Sequence, residues 1–102
     1  MTAWKFETFV FDALLLADKT CCVETFREEE FAPVKNRTGE DSAETAAKAI
    51  SDRFRKWLIG TGSTVSPDAL IEISPGYALD QAELFAKIKG KPLAVKKDTY
   101  LE

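Results

Sequence analysis

The chain has 102 residues, 45% hydrophobic and 30% charged, with a net charge of −3 at neutral pH. One soluble globular domain with a modest core is expected, not a disordered chain. The acidic balance argues against nucleic acid as a partner, because phosphate backbones demand a basic face. The longest apolar run, Ala13 to Ala17, is far too short to span a bilayer.

The N-terminal stretch also fails as a signal peptide. Glu7 and Asp12 interrupt its apolar region and no small-residue cleavage site follows. A cytoplasmic location is the default expectation. The chain contains no histidine, which excludes Ser-His and Cys-His nucleophile arrangements within it. Its two cysteines, Cys21 and Cys22, cannot build a zinc site without further ligands. They read as buried, inert thiols.

In chain order, the spacing of Phe6, Phe9, Val10, Ala13, Leu14 and Ala17 predicts a helix over about Ala3 to Ala17. Trp4, Phe11 and Leu15 form a second stripe on its other side, so the helix needs cover on both faces. Thr20 to Phe26 carries β-favouring Val23, Thr25 and Phe26 and predicts a strand. Asn36 to Asp41 reads as a polar loop. Ser42 is a good N-cap, Glu44 supports the helix dipole, and Ala46, Ala47, Ile50, Phe54, Trp57 and Leu58 give an apolar face through about Ile59. Gly60-Thr61-Gly62-Ser63 then ends the helix. Leu70 to Ser74 predicts a strand stopped by Pro75-Gly76, and Asp80 or Gln81 opens a short helix through Ile88, ended by Gly90. Leu93 to Val95 predicts a further strand that Tyr100-Leu101 extends or repeats. The fold class is therefore α/β (α+β), with about three helices and a small mixed sheet.

Chemistry concentrates at Arg27-Glu28-Glu29-Glu30-Phe31-Ala32-Pro33-Val34-Lys35-Asn36. Pro33 fixes its own φ and biases Ala32 towards extended geometry, so Lys35 leaves a stiffened turn. A lysine so held is a compact charge suited to a phosphate oxygen. Its bland alternative is an ordinary surface lysine beside a solvated acidic knuckle. Glu28, Glu29 and Glu30 read as that knuckle and not as a cation site, since consecutive carboxylates rarely converge.

Four blocks in series carry a resemblance: Phe6-Glu7-Thr8-Phe9-Val10-Phe11-Asp12, Arg27 to Asn36, Gly39 to Ala46, and Glu72-Ile73-Ser74-Pro75. Together they resemble the C-terminal part of the UDP-sugar pyrophosphorylases, particularly the UDP-N-acetylglucosamine branch, from about Phe6 to Leu84. The family places arginine after the Thr-Ala pair where this chain has Ala47, so that contact is not carried over. The resemblance implies a piece of a nucleotidyltransferase-type fold that transfers UMP from UTP to a sugar 1-phosphate. It implies that Lys35 contacts the sugar-linked phosphate, and that Phe9 and Phe11 match aromatics lining the acetamido pocket. Asn36 either donates to sugar or phosphate or turns the chain. Phe9 and Phe11 would point about 200° apart in a regular helix. One pocket holds both only if the helix starts late or bends, and for Phe9 core packing is the preferred reading.

The glycine-rich loop with which that family wraps the UTP triphosphate has no counterpart in this sequence. The expectation is a sugar-phosphate-side portion that is silent alone, binds no cofactor by itself, and belongs to an enzyme using Mg²⁺. Its expected partners are a second copy of itself or an N-terminal nucleotide-binding portion, with weak binding of a sugar 1-phosphate or UDP-sugar. A freestanding, non-catalytic oligomerising or partner-binding module is the alternative.

Overall fold

Burial begins at Ser42. In the computed structural model, which describes residues Thr2 to Glu102, Ser42 is 1% exposed, and no described residue upstream of it is buried. Its hydroxyl accepts from the Thr45 amide at 3.4 Å while the Thr45 hydroxyl accepts from the Ser42 amide at 2.9 Å. This reciprocal cap satisfies two donors that a helix start otherwise leaves unpaired. Helix α2 (Ala43–Gly60) follows, as the sequence predicts. A four-residue helical turn, α1 (Arg27–Glu30), precedes it.

After α2 the chain forms β1 (Thr64–Val65), β2 (Ile71–Ile73), α3 (Gln81–Ile88), β3 (Ala94–Val95) and β4 (Thr99–Leu101). Asp80 caps α3 by accepting from the Glu83 amide at 2.8 Å. Gly90, at φ 77°, turns the chain out of the helix in a conformation that side chains other than glycine's rarely adopt. α3 is the crossover that returns the chain for parallel pairing. β3 pairs with β1 (Thr64 opposite Ala94, Val65 opposite Val95), and β4 pairs with β2 (Ile71 opposite Thr99, Ile73 opposite Leu101). The α/β class is as expected. The strands make two separate parallel ladders, and β1 is an element the sequence pattern did not reveal.

The core consists of Leu58, Ala69, Ile71, Ile73, Ala78, Leu84, Ile88 and Val95, flanked by Phe54, Trp57, Val65, Tyr77, Leu93 and Leu101. β2 shows the period-two pattern of a strand with one buried face: Ile71 and Ile73 inward, Glu72 outward. Two polar anchors fix α2 against it. The buried Ser51 hydroxyl accepts from the Ile71 amide at 2.8 Å, and the Arg55 guanidinium donates to the Ser66 and Ala69 carbonyls.

Upstream of Ser42 the sequence pattern misleads. In place of a helix from Ala3 to Ala17 there is a 3₁₀ segment over Val10–Leu16 with no side-chain cap and no buried residue. The predicted strand over Thr20 to Phe26 is irregular, and α1 starts directly after it. Both failures share a cause: an amphipathic helix or a strand is stabilised by a surface or a neighbour, and this arm has neither. Cys21 and Cys22 are consequently exposed, not buried. The radius of gyration is 18.6 Å, against about 13 Å for a compact chain of this length.

Candidate functional site

Lys35 sits at the mouth of a closed loop. Its backbone amide donates to the Asp41 carbonyl at 2.6 Å, and the Asn36 amide donates to the same oxygen at 2.9 Å. Across the loop, Asn36 Nδ2 donates to the Glu40 carbonyl at 2.8 Å, and Asn36 pairs with Ser42 in an isolated parallel bridge. Reversing the chain so tightly requires the left-handed region twice, at Gly39 (φ 80°) and Asp41 (φ 50°). Glycine and aspartate tolerate that region better than most residues. The loop therefore ties Lys35 through Asp41 to the capped start of α2.

The Lys35 side chain is exposed, and among the described residues no carboxylate forms an ion pair with its ammonium. Pro33 is half-buried, in keeping with a stiffened approach. The preceding acidic turn is also attached to α2: Arg53 Nη1 donates to the Glu29 carbonyl at 3.1 Å. Arg27 lies 4.3 Å above the Phe31 ring, a cation–π contact that folds the turn on itself. Glu28, Glu29 and Glu30 project about 100° apart around that turn, and the described residues contain no group of three that could hold a metal. These side chains do not fit a divalent cation site.

Phe9 and Phe11 are brought together. Their rings stack with centroids 5.0 Å apart and planes 8° from parallel. The late helical start foreseen as a condition is what allows it: Phe9 is extended (φ −101°, ψ 139°), and the 3₁₀ turns begin only at Val10. Phe9 is 50% exposed and Phe11 59%, so neither belongs to the core of this chain, where the preferred reading puts Phe9. No described hydrogen bond links this pair to the Lys35 loop. The lysine is thus fixed to the body while the aromatic pair rides on the arm.

The sequence reading missed Asp41, whose carbonyl closes the loop. Gly39 and Asp41 before an N-cap serine signal a tight turn, but not which carbonyl closes it. It also missed an apolar cleft of about 640 Å³ beside α2 and the β2–β4 ladder, lined by Ala47, Ile50, Phe54, Leu70, Ile71 and Tyr100 among others. Glu72 and Asp98 at its edge make it a poor anion site. Ala47, where the family's arginine would fall, lies in this cleft wall. No helix among the described residues is long and apolar enough to cross a membrane.

Comparison with known proteins agrees with the motif series. No family model matches the chain, and no solved structure matches it. Curated sequences do. A probable UDP-N-acetylglucosamine pyrophosphorylase of Dictyostelium discoideum is 34% identical over 86 residues, covering 79% of this chain and 18% of that protein. UDP-N-acetylglucosamine diphosphorylase 2 of Arabidopsis thaliana is 34% identical over 92 residues, covering 81% and 18%. The UDP-N-acetylglucosamine pyrophosphorylase of Saccharomyces cerevisiae is 34% identical over 93 residues, covering 85% and 19%. The chain spans less than one fifth of the length of these curated relatives, and over that span it belongs with the UDP-N-acetylglucosamine pyrophosphorylase family.

Proposed function

We propose that this chain provides the sugar-phosphate side of a UDP-N-acetylhexosamine pyrophosphorylase site. In this reading the Lys35 ammonium neutralises the phosphate that joins sugar to nucleotide, and the Phe9–Phe11 pair packs against the N-acetylated sugar. The observation that carries it is the unpaired Lys35 cation on a loop tied to α2. A positioned charge of this kind is the main contribution a protein makes to phosphoryl and nucleotidyl transfer. Triphosphate binding and Mg²⁺ chemistry belong to a nucleotide-side portion, whose glycine-rich loop this sequence does not contain. The chain alone is therefore silent in turnover and binds a sugar 1-phosphate or UDP-sugar weakly.

The test is complementation. Combined with the nucleotide-side portion of a relative, the chain should support pyrophosphate release from UTP and N-acetylglucosamine 1-phosphate. Lys35→Ala should lower that rate on the order of 100-fold. Full turnover by Lys35→Ala, or pyrophosphate release by the pure chain with Mg²⁺ and both substrates, would refute the assignment.

One observation favours a second reading, a partner-binding or oligomerising module. The arm exposes Trp4, Phe6, Val10, Leu15 and Leu16 almost completely. Apolar surface of that extent ordinarily meets a partner, a second copy or a nucleotide-side portion among them.

A further inference from the structure

We propose that Asn36 is a positioning residue for Lys35 and makes no direct contact with ligand. This rests on the reading of Lys35 as the phosphate-binding cation. The Asn36 side-chain amide is engaged within the loop, donating to the Glu40 carbonyl at 2.8 Å. That bond spans the same four residues that must curl back for the Asp41 carbonyl to receive the Lys35 and Asn36 amides. It therefore holds the loop closed from the side, while Asp41 holds it from below. Asp41 is followed directly by Ser42, whose side chain is buried and fixed in the reciprocal cap of α2. α2 in turn is bonded to β2 through Ser51 and to the Ser66–Ala69 turn through Arg55. Hydrogen bonds together with the Asp41–Ser42 peptide link thus connect the core to the Lys35 backbone, and Asn36 adds a side-chain bond across the same loop.

The Glu40 bond uses one of the two N–H groups of the Asn36 side-chain amide and fixes where the second points. An amide that swung round to aim at a sugar hydroxyl or a phosphate oxygen would give up the Glu40 bond and loosen the loop. A lysine on a loosened loop samples more positions and loses the entropic benefit of prior placement. Gly39 offers an independent handle on the same loop. At φ 80°, with nothing within 4 Å of where a Cβ would stand, alanine there meets no steric obstacle and is disfavoured by backbone conformation alone. Gly39→Ala should loosen the loop without touching Asn36 or Lys35.

The experiment uses the full chain, ¹⁵N-labelled, in two measurements. Without ligand, amide hydrogen exchange at Lys35 and Asn36 reports loop closure. With N-acetylglucosamine 1-phosphate as the probe, the titration midpoint at Lys35 reports its placement. Asn36→Ala, Asn36→Asp and Gly39→Ala should each speed exchange at positions 35 and 36 about five-fold, the factor expected for one net hydrogen bond. Amides within α2 should keep their wild-type exchange. The same variants should weaken the titration by a similar factor without abolishing it, whereas Lys35→Ala should leave Asn36 exchange unchanged and remove the response. Wild-type exchange in Asn36→Ala would overturn the proposal, as would loss of the ligand response without faster exchange, which would mark a direct contact. A response that survives Lys35→Ala, or that is absent from the wild-type chain, would refute the phosphate reading of Lys35. The ligand-free exchange would still decide whether Asn36 holds the loop.

Discussion

Deleting residues 2–26 should leave the stability of the folded body almost unchanged. Trp4, Phe6, Val10, Leu15 and Leu16 are 88–91% exposed in the structure. A large apolar side chain contributes roughly 2 kcal/mol when fully buried, so one that retains a tenth of its burial contributes about 0.2 kcal/mol. Five such residues sum to at most about 1 kcal/mol. The 3₁₀ segment that carries the half-exposed Phe11 and Leu14 makes no extensive contact with any described element of the body, so their cover comes from within the arm. The Phe9–Phe11 stack is internal to the arm and leaves with it. Had the arm packed as the two-striped helix its sequence suggests, four or more buried side chains would have brought the loss above about 6 kcal/mol.

Urea unfolding followed by tryptophan fluorescence separates these outcomes, because the shortened chain keeps only Trp57, which lies against the core. The slope of free energy against urea should also stay constant, since it scales with the surface exposed on unfolding and the arm is already exposed. Measurement must be made where both chains are monomeric, because self-association would stabilise the longer one by mass action. A loss beyond about 1.5 kcal/mol, or a clear fall in slope, would show that the arm packs on the body. At micromolar concentration the full chain should associate and the shortened one should not. Ultracentrifugation showing the full chain only as an 11.4 kDa monomer would count against the arm as an interaction surface.

Two further expectations concern residues outside the arm's apolar stripe. Ser51→Ala strips the Ile71 amide of its buried acceptor and should cost about 1–3 kcal/mol in urea unfolding; a loss under about 0.5 kcal/mol would mean that water or a shifted backbone replaces the hydroxyl. Cys21 and Cys22, both exposed, should react fully with Ellman's reagent in the native chain, and a reaction needing denaturant would restore the buried-thiol reading.

What could be read from the sequence divides at Ser42. Downstream, local signals and tertiary packing agree. Ser42 and Asp80 cap the helices they precede, Gly90 ends α3, and the Ile71–Ile73 alternation faces the core as its period demands. Upstream, the same kind of signal failed because it was conditional. The stripe through Phe6, Phe9 and Leu14 says which face would be buried, not that a surface exists to bury it. β1 escaped notice because two residues carry no measurable period, and their pairing with Ala94 and Val95 is set by chain return through α3. Lys35 could be singled out from its proline-stiffened approach and Asn36 to Asp41 as a polar loop, but not the bonds that close that loop. Two of the three bonds that cinch that loop end on the backbone oxygen of Asp41 and the third on that of Glu40, and no side-chain motif announces a carbonyl.

The division also governs how such a site would behave. If Lys35 meets a phosphate as proposed, its backbone needs little prior ordering, because its loop is bonded back to α2 and α2 to the core. Phe9 and Phe11 are stacked on each other but anchored to nothing buried, so placing them against a sugar would require ordering the arm at the moment of binding. Ordering even a few backbone residues costs about 1–2 kcal/mol each, comparable with what one sugar–aromatic contact could return. The phosphate should therefore dominate binding to the chain alone, with the N-acetyl group adding little. A partner surface that covers Trp4 and Leu15 would order the arm beforehand, and sugar selectivity would rise with its binding. Arm cover and sugar recognition are then one coupled equilibrium, and each must strengthen the other by the same factor.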